Sequence, residues 1–295
     1  MSSIKYLFVA TFCWLSACHS TPDAVMRIGT NHWIGYAPLY LAQSQNMLNP
    51  QQFRLLEFSS ANIVLRAFRN EQLDAAALTL DEALLLLHSD DEVSVVLIFD
   101  ISNGADAIVS QPEITQIKQL QDKRIGLEQN VLGSYLLKRA LDISHVPSDS
   151  VKTLDLEMSK QLNAFQQKEV QAVVCYEPVC SQLVSLRGNK LFDSHKIMGE
   201  IVDVLVVRNS YLEKNQKIVQ KVVDAYLKIS SVKIHHPEVF YQQMAKMLQT
   251  DVASIQQFYQ KIIYPSGAEM KDFIQNPLRL KNTKKYFQTL CLIII

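Results

Sequence analysis

Neither sign of charge is in excess, because 29 lysine and arginine residues balance 29 aspartate and glutamate residues. With no basic stripe and no acidic tail, the composition points neither to nucleic acid nor to a solvating segment. Common enzyme signatures are missing too: there is no Gly-x-x-x-x-Gly-Lys loop, no His-Glu-x-x-His and no Gly-x-Ser-x-Gly elbow. Cys175 and Cys180 have no nearby histidines to complete a zinc site, and His235-His236 has no partner at i+4. No tandem repeat or low-complexity tract occurs. The longest apolar run near the start, Tyr6 to Leu15, is too short for a comfortable membrane span. What remains is an ordinary globular composition, 48% apolar and 20% charged, in a chain of 295 residues. That length can bury one large core or two modest ones.

The N-terminus reads as a targeting segment, to be kept out of the fold. Lys5 supplies the positive start, the apolar run follows, and Leu15-Ser16-Ala17-Cys18 closes it. This tetrapeptide resembles the bacterial lipobox. The resemblance implies a signal peptide over 1–17, a diacylated Cys18 as the new N-terminus and a linker over 18–25. Such a lipid tethers a soluble domain to a membrane surface. His19 is not the aspartate that usually retains lipoproteins at the inner membrane, so either membrane stays open. Of five cysteines, Cys13 leaves with the signal and Cys18 takes lipid. Cys175 and Cys180 could bridge in an oxidising compartment, or could point different ways from their corner.

The mature chain alternates short apolar strands with helical segments. Arg27 to Thr30 is a strand that runs into a polar corner carrying His32, Trp33 and Tyr36, and Pro38 suits the first position of the helix that follows. Phe53 to Phe58, Leu73 to Leu78 and Val93 to Phe99 read as further strands. Ser59 or Ser60 is placed to cap a helix at Ile63–Arg69, and Asp81 to cap one that runs through Leu87. A second set follows: strand Arg124 to Leu127, a Gly133-Ser134 corner, a helix from Tyr135 to Leu141 and strand Val151 to Leu156. Leu162 and Phe165 mark a helix, and Ala172 to Tyr176 is a buried strand ending at Glu177, after which Pro178 starts another helix. Ile201 to Val207 is an apolar strand interrupted by Asp203. The rest reads as helices at Gln216–Val232, Pro237–Leu248, Val252–Gln260 and Pro277–Leu290, with an apolar end at Cys291–Ile295. This rhythm predicts βαβ units and mainly parallel sheets.

Trp33-Ile34-Gly35-Tyr36-Ala37-Pro38-Leu39-Tyr40-Leu41-Ala42 resembles the opening of the solute-binding proteins of ABC importers in the nitrate/sulfonate/thiamine-precursor (NMT1/THI5-like) group. Ser102 to Val109, Tyr176-Glu177-Pro178 and Asp203 to Val207 agree with the same group. The likeness runs from about Met26 to about Pro265. Asn46 stands where the group usually has a glycine ending the first helix, and asparagine also tolerates that left-handed cap. The resemblance implies an α/β, two-lobed, type II periplasmic-binding-protein fold with two hinge crossings. Lobe 1 would be discontinuous (26–104 and 203–295), and lobe 2 would be inserted at 105–202. It further implies a small-molecule solute, separate ABC permease and ATPase subunits, a lipid contact with the membrane, no nucleic acid, no cofactor and a monomer.

Candidate ligand residues gather at strand ends and crossings, where open α/β sheets hold their ligands. They are Trp33, Tyr36, Ser60, Asp81, Ser102, Asn103, Asp106, Tyr135, Tyr176, Glu177 and Asp203. A buried carboxylate is costly unless something pairs with it. Several acids among aromatic faces therefore suit a ligand of ammonium, amidine or aminopyrimidine character. No spare arginine occurs at these corners, which argues against sulfonate or nitrate. Helix N-termini with Ser102, Asn103 and Ser134 offer the alternative of an oxyanion site. Binding would proceed by hinge closure. A membrane-tethered sensor with the same cleft is a second reading. An enzyme of pyrimidine metabolism is a third, although the Cys-rich iron motif of the fungal relatives has no counterpart here.

Overall fold

The computed structural model describes residues 25–88 and 93–265, together with Ala268. The expected signal peptide, Cys18, most of the linker, the helix at Pro277–Leu290 and the apolar end lie outside the described residues. Among the described residues, no helix is long and apolar enough to cross a membrane.

Among the described residues, eleven strands form two sheets. The first takes β1 (Met26–Thr30), β2 (Phe53–Glu57), β3 (Ala75–Thr79), β4 (Val93–Ser102), β10 (Val202–Arg208) and β11 (Ile262–Ile263), in the order β11-β4-β10-β3-β1-β2. The second takes β5 (Asp106–Ser110), β6 (Arg124–Leu127), β7 (Lys152–Asp155), β8 (Ala172–Tyr176) and β9 (Asn189–Asp193), in the order β7-β6-β8-β5-β9. Helices α1 (Ala37–Ser44), α2 (Ala61–Arg69), α3 (Leu80–His88), α7 (Asn209–His235), α8 (Pro237–Leu248) and α9 (Val252–Tyr259) belong to the first lobe. Helices α4 (Val131–Ile143), α5 (Met158–Gln166) and α6 (Val179–Ser185) belong to the second.

The sheets are mixed rather than mainly parallel. Parallel pairing holds for β2-β1-β3 and β7-β6-β8, as βαβ units require. β10 runs against both β3 and β4, and β5 runs against both β8 and β9. The cause is connectivity. β5 and β10 each enter a lobe from the other one, so they start at the seam where most of their neighbours end.

Burial on both faces explains the unbroken apolar strands. Every residue of β3, β5 and β8 is buried. Alternation along β5 and β8 divides the second lobe's core: Ile108 and Val174 pack with α4, while Ala107, Val109, Val173 and Cys175 pack with α5 and α6. Full burial of one such aliphatic side chain stabilises the fold by roughly 1.5–3 kcal/mol. The first core continues over α7 and α8, through Tyr226 and Phe240.

Local differences have local causes. Helix α4 starts four residues before Tyr135, because Asn130 caps it by accepting from the Gly133 N–H at 2.7 Å, so Gly133 and Ser134 lie in its first turn. Ser60 occupies the N-cap position of α2 but makes no side-chain cap bond. Asp81 sits inside the first turn of α3 rather than ahead of it. Strand β9 carried no strong apolar pattern and was not anticipated. Asn46 adopts φ 59°, as expected of an asparagine in the left-handed region after a helix. Cys175 and Cys180 form a disulfide that ties β8 to α6.

Candidate ligand cleft

Strand register assembles the seam. Asp203 opens β10 between Thr79 at the end of β3 and Asp100 near the end of β4. Across the seam, Asp106 at the start of β5 lies opposite Tyr176 at the end of β8. The first crossing, Ser102 to Ala105, is held at Gly104, whose φ of 102° suits glycine. Its N–H donates to Ser194 Oγ at 2.6 Å on the return crossing, and Ser194 Oγ also bonds Ser102 Oγ at 2.7 Å.

The corner after β1 supplies the aromatic side. Asn31 Oδ1 accepts from the Trp33 N–H at 3.1 Å, an Asx turn that aims the indole inward. Trp33 Nε1 donates to Asp100 Oδ2 at 3.1 Å, and its ring meets Tyr176 edge-on at 5.9 Å. Tyr36 donates its hydroxyl proton to Asp203 Oδ1 at 2.5 Å. Gly35 permits this packing, because a β-carbon there would stand 1.9 Å from Asp100 Oδ2.

Two small chambers of about 20 Å³ each lie in the seam. Each has room for a group of roughly one water's size. The first is lined by Trp33, Tyr36, Thr79, Glu82 and Asp203, the second by Glu128, Gly133, Leu136 and Gln161. Asp106, Asn130, Leu132 and Tyr176 line both. Among the described residues, no lysine, arginine or histidine lines either chamber. Thr79 Oγ1, Glu82 Oε1, Asp106 Oδ2, Gln161 Oε1 and Tyr176 OH are buried without a hydrogen-bond partner. Gln161 is fixed in orientation, since its Nε2 donates to Leu156 O at 3.3 Å and to Val174 O at 3.2 Å, leaving Oε1 as an acceptor. Asn130 is fully engaged, donating to Glu128 Oε2 at 3.2 Å while it caps α4.

Electrostatics follow from this crowding. Burial, reinforced by Asp81, pushes the Glu82 carboxyl up to about 8. Burial pushes Asp106 up to about 7, with Asp81 and Glu177 adding repulsion. Asp100 is raised to about 8 by burial and by Asp106. Burial and Asp100 hold Asp203 well above the usual carboxylate range. Each shift has the same cause: a dry site with too little positive charge disfavours the ionised carboxylate.

Of the residues anticipated from sequence, Trp33, Tyr36, Asp106, Tyr176 and Asp203 meet at the chambers. Asp81 is buried behind Glu82, whose N–H it accepts at 3.1 Å. Glu177 is turned away to an interlobe ion pair with Lys261, and it also accepts from Ser181 Oγ at 2.9 Å. Tyr135 donates to Glu200 at 2.5 Å beside Arg139, on the far side of α4. Ser102 bonds Ser194 and also Asp106, and so supports a chamber residue without lining either chamber; Asn103 bonds exposed His195 at 2.7 Å, and Ser60 lines neither chamber. Glu82, Asp100, Glu128 and Gln161 escaped notice. Asp100 had a signal, as an acid directly after an unbroken apolar run, and Glu82 had one in its neighbour Asp81. Gln161 had none, since a glutamine on a helix looks like surface.

A family model described as the NMT1-like family matches residues 19–249. A putative binding protein of Brucella abortus is 22% identical over 159 residues, which cover 52% of this chain and 49% of that protein. The chain thus spans about half the length of the curated relatives it matches. Among solved structures, a ligand-binding component of an ABC-type import system from Staphylococcus aureus, solved with zinc bound, has a TM-score of 0.75. It is 14% identical, over 91% of this chain and 92% of that one. The periplasmic aliphatic sulphonate binding protein SsuA of Escherichia coli has a TM-score of 0.70 at 18% identity, over 90% of this chain and 93% of that one. At these identities the likeness is one of fold.

Proposed function

Because the chain belongs to the NMT1-like family, we propose that it is the periplasmic solute-binding component of an ABC-type importer, capturing a small cationic or amino-heteroaromatic solute. Lobe 1 (26–104 and 203–295) and lobe 2 (105–202) close about the two crossings. Trp33, Tyr36, Asp106, Tyr176 and Asp203, with Glu82 and Gln161, contact the solute. The permease and ATPase are separate chains, and Cys18 carries the lipid that keeps the monomeric domain at the membrane. No catalytic step is assigned to the cleft.

One observation carries the ligand class. The unpartnered buried side-chain atoms of the chambers are carboxylate and amide oxygens, one phenol and the Thr79 hydroxyl, with no lysine, arginine or histidine among the described lining residues. An ammonium or amidinium donates to several of them, stacks on the aromatic faces and relieves the carboxylate repulsion. Closure excludes water and strengthens each of these contacts. Ligand contacts to both lobes favour the closed state, because only that state makes all of them.

A second reading, a sulfonate-type anion, draws on the SsuA likeness of fold. It also draws on Ala61, which lines the first chamber at the start of α2, where no side chain caps the helix. The two readings differ in sign with pH: a cation binds more tightly as the carboxyls ionise, and an anion less tightly. A thermal-shift screen of amines, amidines, aminopyrimidines, sulfonates and nitrate tests both. Ligand at 100 times its Kd adds about 2.7 kcal/mol. We expect cations to shift the protein and Asp106→Asn to lose the shift. Stabilisation by sulfonates with none by any cation refutes the cationic reading.

A further inference from the structure

A far larger cavity lies away from the buried carboxylates. A groove of about 830 Å³ runs beside the chambers, against about 20 Å³ for each of them. The groove is of the size that takes a whole small molecule, whereas a chamber takes only a head group. Asn31 and Trp33 line both the groove and the first chamber, so the two spaces adjoin at this corner.

The groove's walls differ in kind from the chambers'. They include Ala37, Met247 and Phe258 from the first lobe and Met158 and Pro178 from the second. His32 and Glu57 are the basic and acidic residues among the described lining, and they face each other at 3.3 Å. When His32 is protonated, the two charges offset each other. The other polar lining residues, such as Ser181, Gln182 and Thr250, are uncharged, and the apolar ones suit a hydrocarbon or aromatic group, which favours closure because it touches both lobes.

We propose that the groove receives an apolar arm of the same captured cation, so that the solute is amphiphilic: a compact ammonium or amidinium head with a hydrocarbon or aromatic arm. This rests on the cationic reading of the chambers. Trp33 stands where the two spaces adjoin, with its Nε1–H fixed on Asp100 and its ring offered to the arm. The head fixes the charge class, and the arm sets selectivity among cations.

Calorimetric titration with n-alkylammonium ions from methyl to hexyl, and with benzylammonium, tests the proposal on the full chain. Affinity is expected to rise about fourfold per added methylene until the groove is filled. Ser185→Trp on α6 and Gln257→Trp on α9 each narrow the groove from an exposed position, away from the chambers. They should flatten the dependence on chain length and leave methylammonium binding unchanged. A flat series in the unaltered protein, with methylammonium still bound, overturns the proposal and spares the cationic head site. Chain-length dependence surviving in both narrowed variants overturns it as well. Failure of every ammonium ion, methylammonium included, removes the cationic reading and this inference with it.

Discussion

Lys261→Met isolates an ion pair that crosses between the lobes next to the cleft. Lys261 lies just before β11 in the first lobe, and Glu177 lies at the start of α6 in the second. The Glu177 side chain is 1% exposed and that of Lys261 24%. With the lysine gone, the carboxylate keeps only the Ser181 hydroxyl at 2.9 Å and the Ser181 N–H at 3.2 Å. Stranding one member of a buried pair costs about 3–5 kcal/mol. The partial exposure of Lys261 and the two remaining donors pull the expected loss down to about 2–3 kcal/mol. Glu177→Gln costs less, since the freed lysine can turn to water. The double variant should lose less than the sum of the singles, with a coupling of about 1–2 kcal/mol. Thermal unfolding reads this as a drop in Tm of roughly 2–4 °C per kcal/mol for a domain of this size. X-ray scattering should also report a larger radius of gyration for Lys261→Met, because the lobes lose a tether. A Lys261→Met protein within about 0.5 kcal/mol of the parent, with additive singles, would refute the reasoning.

Stability of the ligand-free protein should fall as pH rises from about 5 to about 8. Glu82 at about 8, Asp106 at about 7 and Asp100 at about 8 hold protons in the folded chain that ordinary unfolded carboxyls have already released. Lys233, lowered to about 8 by burial, has the opposite sign, but its contribution changes only above that pH. A Tm that rises over this window contradicts the assignment, and cation affinity should rise across the same window. Gly35→Ala forces a β-carbon to 1.9 Å from Asp100 Oδ2 and 2.4 Å from Trp33 Nε1. It should cost about 1–3 kcal/mol and weaken binding through the displaced indole, checked by denaturation and titration. Tyr36→Phe deletes the donor to Asp203 within a buried site, and a loss of about 1–3 kcal/mol is expected in the same denaturation assay.

The strands were legible because apolar runs of strand length, bounded by polar corners, mark chain covered on both faces. Ala172–Tyr176 and Arg124–Leu127 were located to the residue. The corner after β1 was legible for a related reason: a strand ending in Asn31, Trp33 and Tyr36 has few places to put them except a sheet's edge. The direction of β5 and β10 was not legible, since an apolar run reads the same either way. Their sense depends on which lobe the chain has just left.

By itself, then, the sequence determined which residues end strands and hence which side chains reach the seam, because burial period and turn chemistry act over a few residues. Only the tertiary structure decided what each side chain does there. Glu177 is claimed by Lys261, 84 positions along the chain; Tyr135 turns to Glu200; Gln161 points an acceptor into the cleft. These outcomes depend on packing between distant segments, where the reach of a long side chain and the cost of an unpaired buried charge choose the partner, and no local pattern encodes that choice.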